Sequence, residues 1–364
     1  MFPIPADPVA QRLLLNALPG VGPVTVRRLR DAFGGDLAAA LRATPATLAR
    51  IKGVGARLAA TIAAREFDWA AELARAEALG FRAVADGAPD WPLAFAALWD
   101  PPLVLYAEGA ALPAERAVAI IGSRHCTAYG AGLARRFARE LAAAGWWIVS
   151  GLARGIDTAA HEGALDAAGR TVAVLGHGLD LTYPPEGRAL RARLRERGGV
   201  LSEFPLGRPA DRRSFPQRNR IVAALARAVV VIETDVDGGS LITARFAGDL
   251  GKTVCAVPGR VDSPASRGCH ALVRDGATLV TGVDDILREL GESREPGTLP
   301  GSPAAAPAPE HARWLRPFAG GAAHDAESLA EATHCAPAEA AAMLALLEIR
   351  GLLLRRPDGR HEAG

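Results

Sequence analysis

Four glycine-rich turns, each directly after an apolar run, hold the residues best suited to chemistry. "AIIGSRHCTAYG" sets Gly122, Ser123 and Arg124 between a strand-like run and a helix-like stretch. There a backbone cradle, a hydroxyl and a guanidinium can all reach one phosphate. "IVSGLARGIDTAAH" repeats the arrangement with Ser150, Gly151, Gly155 and Asp157, "AVLGHGLD" supplies Gly176 and Gly178, and "ETDVDGGSLITA" places Gly238, Gly239 and Ser240 after "VVVIE". None is a G-x-G-x-x-G or Walker A loop, so no nucleotide cofactor is expected. A single strand-end glycine usually only shapes a turn. Four on one edge describe a ligand surface.

"RSFPQRNRIV" adds Phe215, Arg218, Asn219 and Arg220 at the start of an apolar helix, with Pro216 expected in its first position. At about 100° per residue, Arg218 falls within the arc of Ile221, Val222 and Leu225, while Arg220 and Arg227 fall on the opposite side. Arg218 therefore faces packing and Arg220 faces solvent, a partner strand or another subunit. A guanidinium facing a core requires an anion, because unpaired it costs several kcal/mol by rough estimate. A bound phosphate satisfies Arg218, and so does an internal carboxylate such as Glu203. Phe215 is either a stacking surface for a base or a hydrophobic staple fixing the helix entry.

Catalytic constellations are weak. His161, four residues beyond Asp157, reads as a residue that caps or packs a helix rather than a base. Glu233 is the only acid placed to try as a catalytic carboxylate beside the "GGSLITA" loop, with no evident partner. No catalytic residue is assigned. Cys126, Cys255, Cys269 and Cys335 are scattered without a C-x-x-C pair, and no paired histidines have metal spacing, so no metal is expected.

These loops need a scaffold. From Ala117 to Val280 the runs "AVAII", "WWIVS", "TVAVL", "GVLSE", "AVVVIE", "TVCAV" and "ATLVT" mostly lack polar alternation and are separated by helical stretches. That is the pattern of strands buried on both faces in a doubly wound, mainly parallel α/β sheet, a Rossmann-like domain whose ligands sit at the carboxyl ends of its strands. Ahead of it, "LPGVGPVTVRRL" and "IKGVGARLAATI" have the form of paired helix-hairpin-helix units, which either offer N–H groups to DNA phosphate or simply turn a small helical domain. The expected organisation is a helical head at 1–70, the Rossmann-like domain at 71–290 with a lead-in at 71–115, a Pro/Ala/Gly-rich linker at 291–312, and a winged-helix-like tail at 313–364.

Of 364 residues, 49% are hydrophobic and 23% charged, enough for real cores. No run long enough for a membrane span and no signal peptide is apparent, and free thiols suit a reducing compartment, so the expected location is cytoplasmic. Net charge is only +2, yet between Glu186 and Arg220 ten arginines face four acids, a segment suited to a polyanion.

"VAIIGSR", "SGLARGID", "VAVLGHGLDLTYP", "LSEFPLG", "FPQRNRIVAAL", "GSLITA" and "VPG" occur in this order across roughly residues 85–285, and together they resemble the bacterial DNA-processing protein A family, DprA or Smf. The resemblance implies a homodimeric protein that binds single-stranded DNA, protects incoming DNA during natural transformation and loads the RecA recombinase. It implies no hydrolase or dehydrogenase activity. It further implies that Gly122, Ser123, Arg124, Phe215, Arg218, Asn219 and Arg220 hold backbone phosphate and base. Gly238 departs from the serine usual in the S-G-S-L motif, and His270 from the usual asparagine. Rival readings are a Rossmann-like nucleotide-processing enzyme and a winged-helix transcription regulator.

Overall fold

Alternation within the central strands divides the core in two. In β3 (Ala117–Gly122), Ala117, Ala119 and Ile121 pack on one side of the sheet, and Val118 and Ile120 on the other. All five are buried, as expected of a strand covered on both faces. The computed structural model describes residues 1–109, 116–292, 309–350, 352–356 and 358–363.

Residues 1–298 form one compact unit. It opens with six helices, α1 (Pro8–Ala17), α2 (Pro23–Ala32), α3 (Leu37–Arg42), α4 (Pro45–Ala49), α5 (Ala56–Ala64) and α6 (Trp69–Ala78). There follow β1 (Arg82–Val84), β2 (Leu105–Gly109), β3, α7 (Ala128–Ala143), β4 (Trp147–Ser150), α8 (Ile156–Asp166), β5 (Thr171–Leu175), α9 (Arg188–Arg197) and β6 (Gly199–Ser202). The unit closes with α10 (Ser214–Leu225), β7 (Ala228–Ile232), α11 (Ser240–Asp249), β8 (Thr253–Ala256), α12 (Pro264–Arg274), β9 (Thr278–Leu279) and α13 (Val283–Glu289).

Among the described residues the strands form one sheet in the order β1-β2-β6-β5-β4-β3-β7-β8-β9. The seven strands from β3 onward are parallel and coincide with the seven apolar runs. β1 and β2 are antiparallel additions to the β6 edge, drawn from the lead-in. From β3 the chain first builds outward through β4, β5 and β6, then crosses back so that β7 lies on the other side of β3. The two helices following β3 and β7 thus diverge, opening a crevice at the carboxyl ends of those strands.

The head is tied to this sheet. Leu13 of α1 and Ala76 of α6 pack with Val104, Tyr106 and Leu175. The Tyr106 hydroxyl donates to Glu72 Oε1 at 2.7 Å, and Asn16 Nδ2 donates to the Glu203 carbonyl at 2.7 Å.

Interior histidine His161 belongs to the packing. The Thr171 hydroxyl donates to the Ile148 carbonyl at 2.8 Å, so His161 Nδ1–H donates to Thr171 Oγ1 at 2.6 Å and Nε2 stays unprotonated. Burial, with Arg218 adding to it, pushes the imidazole down to about 3. Because the folded value lies below the unfolded one of about 6.5, the unfolded chain takes up a proton first as pH falls. His161 therefore removes stability between about pH 6.5 and pH 3, by up to about 1.4 kcal/mol per pH unit. Urea unfolding at pH 7 and pH 5 checks this, with a shallower loss expected in His161→Leu.

The second unit spans 299–364. It contains α14 (Pro309–Leu315), α15 (Ala326–Thr333), α16 (Pro337–Ile349) and an antiparallel hairpin of β10 (Leu353–Arg355) and β11 (His361–Ala363). Trp314, Phe318, Leu329, Leu344 and Leu347 form its core. Most of the expected linker, 293–308, lies outside the described residues.

Candidate nucleic-acid interface

The crevice between the β3 and β7 turns is a cleft of about 340 Å³. Gly122, Ser123 and Arg124 line one wall, Gly151 and Asp157 the floor, and Phe215, Arg218 and Asn219 a second wall, with Gly238, Gly239 and Ser240 opposite. Close backbone approach holds the walls together: Ser123 N donates to the Glu233 carbonyl at 2.7 Å, and a Cβ on Gly122 would lie 1.8 Å from the Ile232 carbonyl. Gly239 is the N-cap of α11 and has no side chain to cap it; the Leu241 and Ile242 N–H groups turn back to the Gly238 and Gly239 carbonyls, which leaves the Ser240 N–H at this rim without a partner among the described residues.

Arg218 is buried, 4% exposed. Its Nη1 donates to the Gly151 carbonyl at 2.7 Å and to the Val174 carbonyl, and its Nε to Asn219 Oδ1 at 3.2 Å. No carboxylate makes a salt bridge with it among the described residues. Burial lowers its pKa to about 10, against the attraction of Asp157, and Arg124 lowers it further. Asp157 is itself pushed up by burial, against Arg218 and the Ala153 and Gly151 N–H groups that its Oδ2 accepts. Two guanidiniums thus share a cleft whose nearest carboxylate is occupied with backbone donors. This is the electrostatic profile of an anion site.

Arg220 differs. It is 1% exposed, and its Nη1 and Nη2 donate to the two Glu203 oxygens, each at 2.7 Å. Its Nε donates to the Asp100 carbonyl at 3.0 Å and lies 3.0 Å from Asp100 Oδ2. Burial works against its charge, but Glu203 and Asp100 more than offset this and hold its pKa above the ordinary value.

Several expectations are corrected here. Glu203 is the partner of Arg220, not of Arg218. Arg220 does not face solvent, because α10 is covered on its outer side by the lead-in and the loop after β6. The helix begins at Ser214 with Arg213 as N-cap, two residues before Pro216, because Asp211 Oδ1 accepts from the N–H groups of Arg213 and Ser214. Ser150 is fully buried and donates to the Ile120 carbonyl at 2.7 Å; its side chain also sits against Asp157, so it backs the cleft floor without lining the cleft. Gly176 seats the Phe215 ring, 3.0 Å from where its Cβ would stand, and lines a small neighbouring cavity with His177 and Tyr183.

Phe215 is half-buried, with the Arg124 guanidinium 4.8 Å from its ring centroid and Tyr183 at 6.1 Å. Tyr183, in the long loop after β5, is an aromatic neighbour that the sequence motifs above do not single out; its one signal is the aromatic in "DLTYPP". The acid considered for catalysis, Glu233, accepts from the N–H and hydroxyl of Thr127 and so holds the residue that caps α7. Thr234 fills the space that a residue larger than glycine would need at 238: a Cβ there would lie 2.0 Å from Thr234 Oγ1, which accepts from Ser240 Oγ at 2.7 Å. His270 Nε2 lies 3.1 Å from the Gly259 carbonyl and braces the loop after β8. No group of His, Cys, Asp or Glu among the described residues is arranged for a metal, and no helix among them is long and apolar enough to cross a membrane.

Gly151 makes room for Arg218. A Cβ there would lie 2.5 Å from both terminal guanidinium nitrogens. Gly151→Ala is therefore expected to displace Arg218 and weaken oligo-dT binding about tenfold, the loss of roughly one charge-assisted hydrogen bond. Fluorescence anisotropy checks it.

Residues 82–291 match the model of DNA recombination-mediator protein A. The chain belongs to that family. A DprA of Mycobacterium tuberculosis is 42% identical to it over 318 residues, covering 82% of each chain. The crystal structure of DprA from Streptococcus pneumoniae superposes with a TM-score of 0.65 at 33% identity, covering 76% of this chain and 95% of that one. DprA from Helicobacter pylori, whose structure was described for its single-stranded DNA binding mode, superposes with a TM-score of 0.52 at 32% identity, covering 58% and 95%. Within the family the Rossmann-like, mainly parallel fold is shared. Residues 12–65 match a SAM-like helix-hairpin-helix tandem, in agreement with the paired glycine hairpins.

Proposed function

We propose that this family member binds single-stranded DNA in the β3/β7 cleft, protects it, and loads the RecA recombinase onto it during natural transformation. The observation that carries this reading is Arg218, a buried cation without a salt bridge among the described residues, in a cleft that also holds Arg124 and the Ser240 end of α11. In this reading Gly122, Ser123, Arg124, Arg218, Asn219, Gly239 and Ser240 contact phosphate, and Phe215 with Tyr183 provides the aromatic surface for a base. The H. pylori relative's single-stranded DNA mode supports the ligand class. The protein acts as a homodimer in the cytoplasm, without a cofactor and as a binding protein rather than an enzyme.

The test is titration of the full chain against fluorescein-labelled oligo-dT at several salt concentrations. Affinity is expected to fall with salt, with a slope of about −0.7 per phosphate neutralised. Equal or tighter binding to a duplex of the same length would overturn the reading. A truncation ending at Gly291 is expected to retain single-strand binding within about threefold, less than one charged contact contributes. Loss of binding on truncation would transfer the role to the second unit and favour a transcription regulator.

A further inference from the structure

A second cavity, of about 390 Å³, lies away from the β3/β7 turns, between α2 and the lead-in segment. Its walls are apolar: Val26 of α2 faces Trp91, Leu93, Trp99 and Pro101, over a floor that includes the fully buried Phe95. The short helical turn Leu93–Ala97 buries Phe95 yet leaves Leu93 84% exposed, and Trp99 is 73% exposed. Large apolar side chains held outward beside an existing groove mark an interaction surface.

Charge around the groove is unbalanced. Arg12, Arg27 and Arg30 line it against a single carboxylate, Asp86. That carboxylate is a loose partner, 4.0 Å from Arg12 and 3.7 Å from Arg30. Arg27 stands 4.0 Å from the Trp99 ring centroid and donates to the Trp99 carbonyl at 3.0 Å, which fixes both residues at the rim. Trp and Arg in such positions are the residue types that dominate binding energy at protein interfaces, and guanidinium forks match carboxylates.

We infer that this groove docks a protein partner through an extended acidic peptide, its aliphatic or aromatic anchor entering between Leu93 and Trp99 and its carboxylates reaching Arg12, Arg27 and Arg30. A nucleic-acid strand fits less well. The space between the arginines is walled by proline, valine and leucine rather than by further donors, and Arg27 already covers one face of Trp99. The inference does not depend on the function assigned to the β3/β7 cleft.

The test selects a random-peptide phage library on the full chain, then measures a synthetic labelled copy of the most enriched peptide. Asp or Glu beside an apolar anchor is expected in the enriched sequences, with affinity falling by at least about tenfold in both Leu93→Glu and Arg30→Glu. Both side chains are surface-exposed, so the melting temperature and oligo-dT affinity of these variants are expected to match the parent. Enriched peptides without acids, or insensitive to both substitutions, would overturn the proposal. So would weakened oligo-dT binding in these variants, which marks a nucleic-acid surface, or a halved molar mass of Leu93→Glu by light scattering, which marks contact between copies.

Discussion

Replacing Arg220 by alanine is expected to lower the unfolding free energy by about 3–5 kcal/mol, because it leaves Glu203, 3% exposed, charged and unpaired in the interior. The loss extends beyond one pair. Arg220 joins α10 to the lead-in through Asp100 and to the loop after β6 through Glu203, whose backbone carbonyl also holds Asn16 of the head. The double substitution Arg220→Met with Glu203→Leu is expected to recover most of that stability, since a buried ion pair exchanged for apolar groups is often near neutral. Urea unfolding of the parent and the two variants measures the effect. If Arg220→Ala instead kept its stability and lost oligo-dT affinity, Arg220 would be a ligand residue and its assignment here would fail.

Arg218→Met is expected to behave in the opposite way. Its unfolding free energy should change by no more than about 1 kcal/mol, because removing a desolvated charge offsets the lost bonds to the Gly151 and Val174 carbonyls. Oligo-dT affinity should fall by about 1.5–3 kcal/mol, roughly 10- to 150-fold, the range for a hydrogen bond to a charged group. The salt slope should flatten by about 0.7, one phosphate contact fewer. Adding Arg124→Ala should flatten it by a similar step. A folded double variant with parental affinity and slope would remove both arginines from the site.

The contrast between these neighbouring arginines marks the limit of what the sequence discloses. A helical wheel assumes one packed face, and on that assumption it turns Arg218 inward, as the structure has it, and Arg220 outward, where the structure differs. α10 has a second cover, and the groups that supply it lie 17 and 120 residues away, at Glu203 and Asp100. Spacing within a helix carries no trace of such partners. Ser150 misled for a related reason: at a strand end, the two-residue alternation turns a side chain either to the cleft or into the sheet. Its hydroxyl donates to the Ile120 carbonyl while its side chain sits against Asp157, behind the cleft floor.

The parallel strands were legible because burial on both faces selects uninterrupted Val, Ile and Ala, as in Ala117–Ile121 and Ala228–Ile232. β1 is only three residues long, and β2, Leu105–Gly109, ends in Glu108 and Gly109. Neither writes a period. The glycine turns were informative because contacts at carbonyl oxygens exclude a Cβ, at Gly122 against Ile232, and that constraint appears directly as a residue type.

The most direct test of the cleft as the DNA site is photocrosslinking of the full chain to oligo-dT, followed by peptide mapping. Crosslinks are expected on peptides carrying Ser123–Arg124, Tyr183 or Phe215–Asn219. Crosslinks confined to the helical head or to residues 309–363, with none at the β3/β7 turns, would contradict the account.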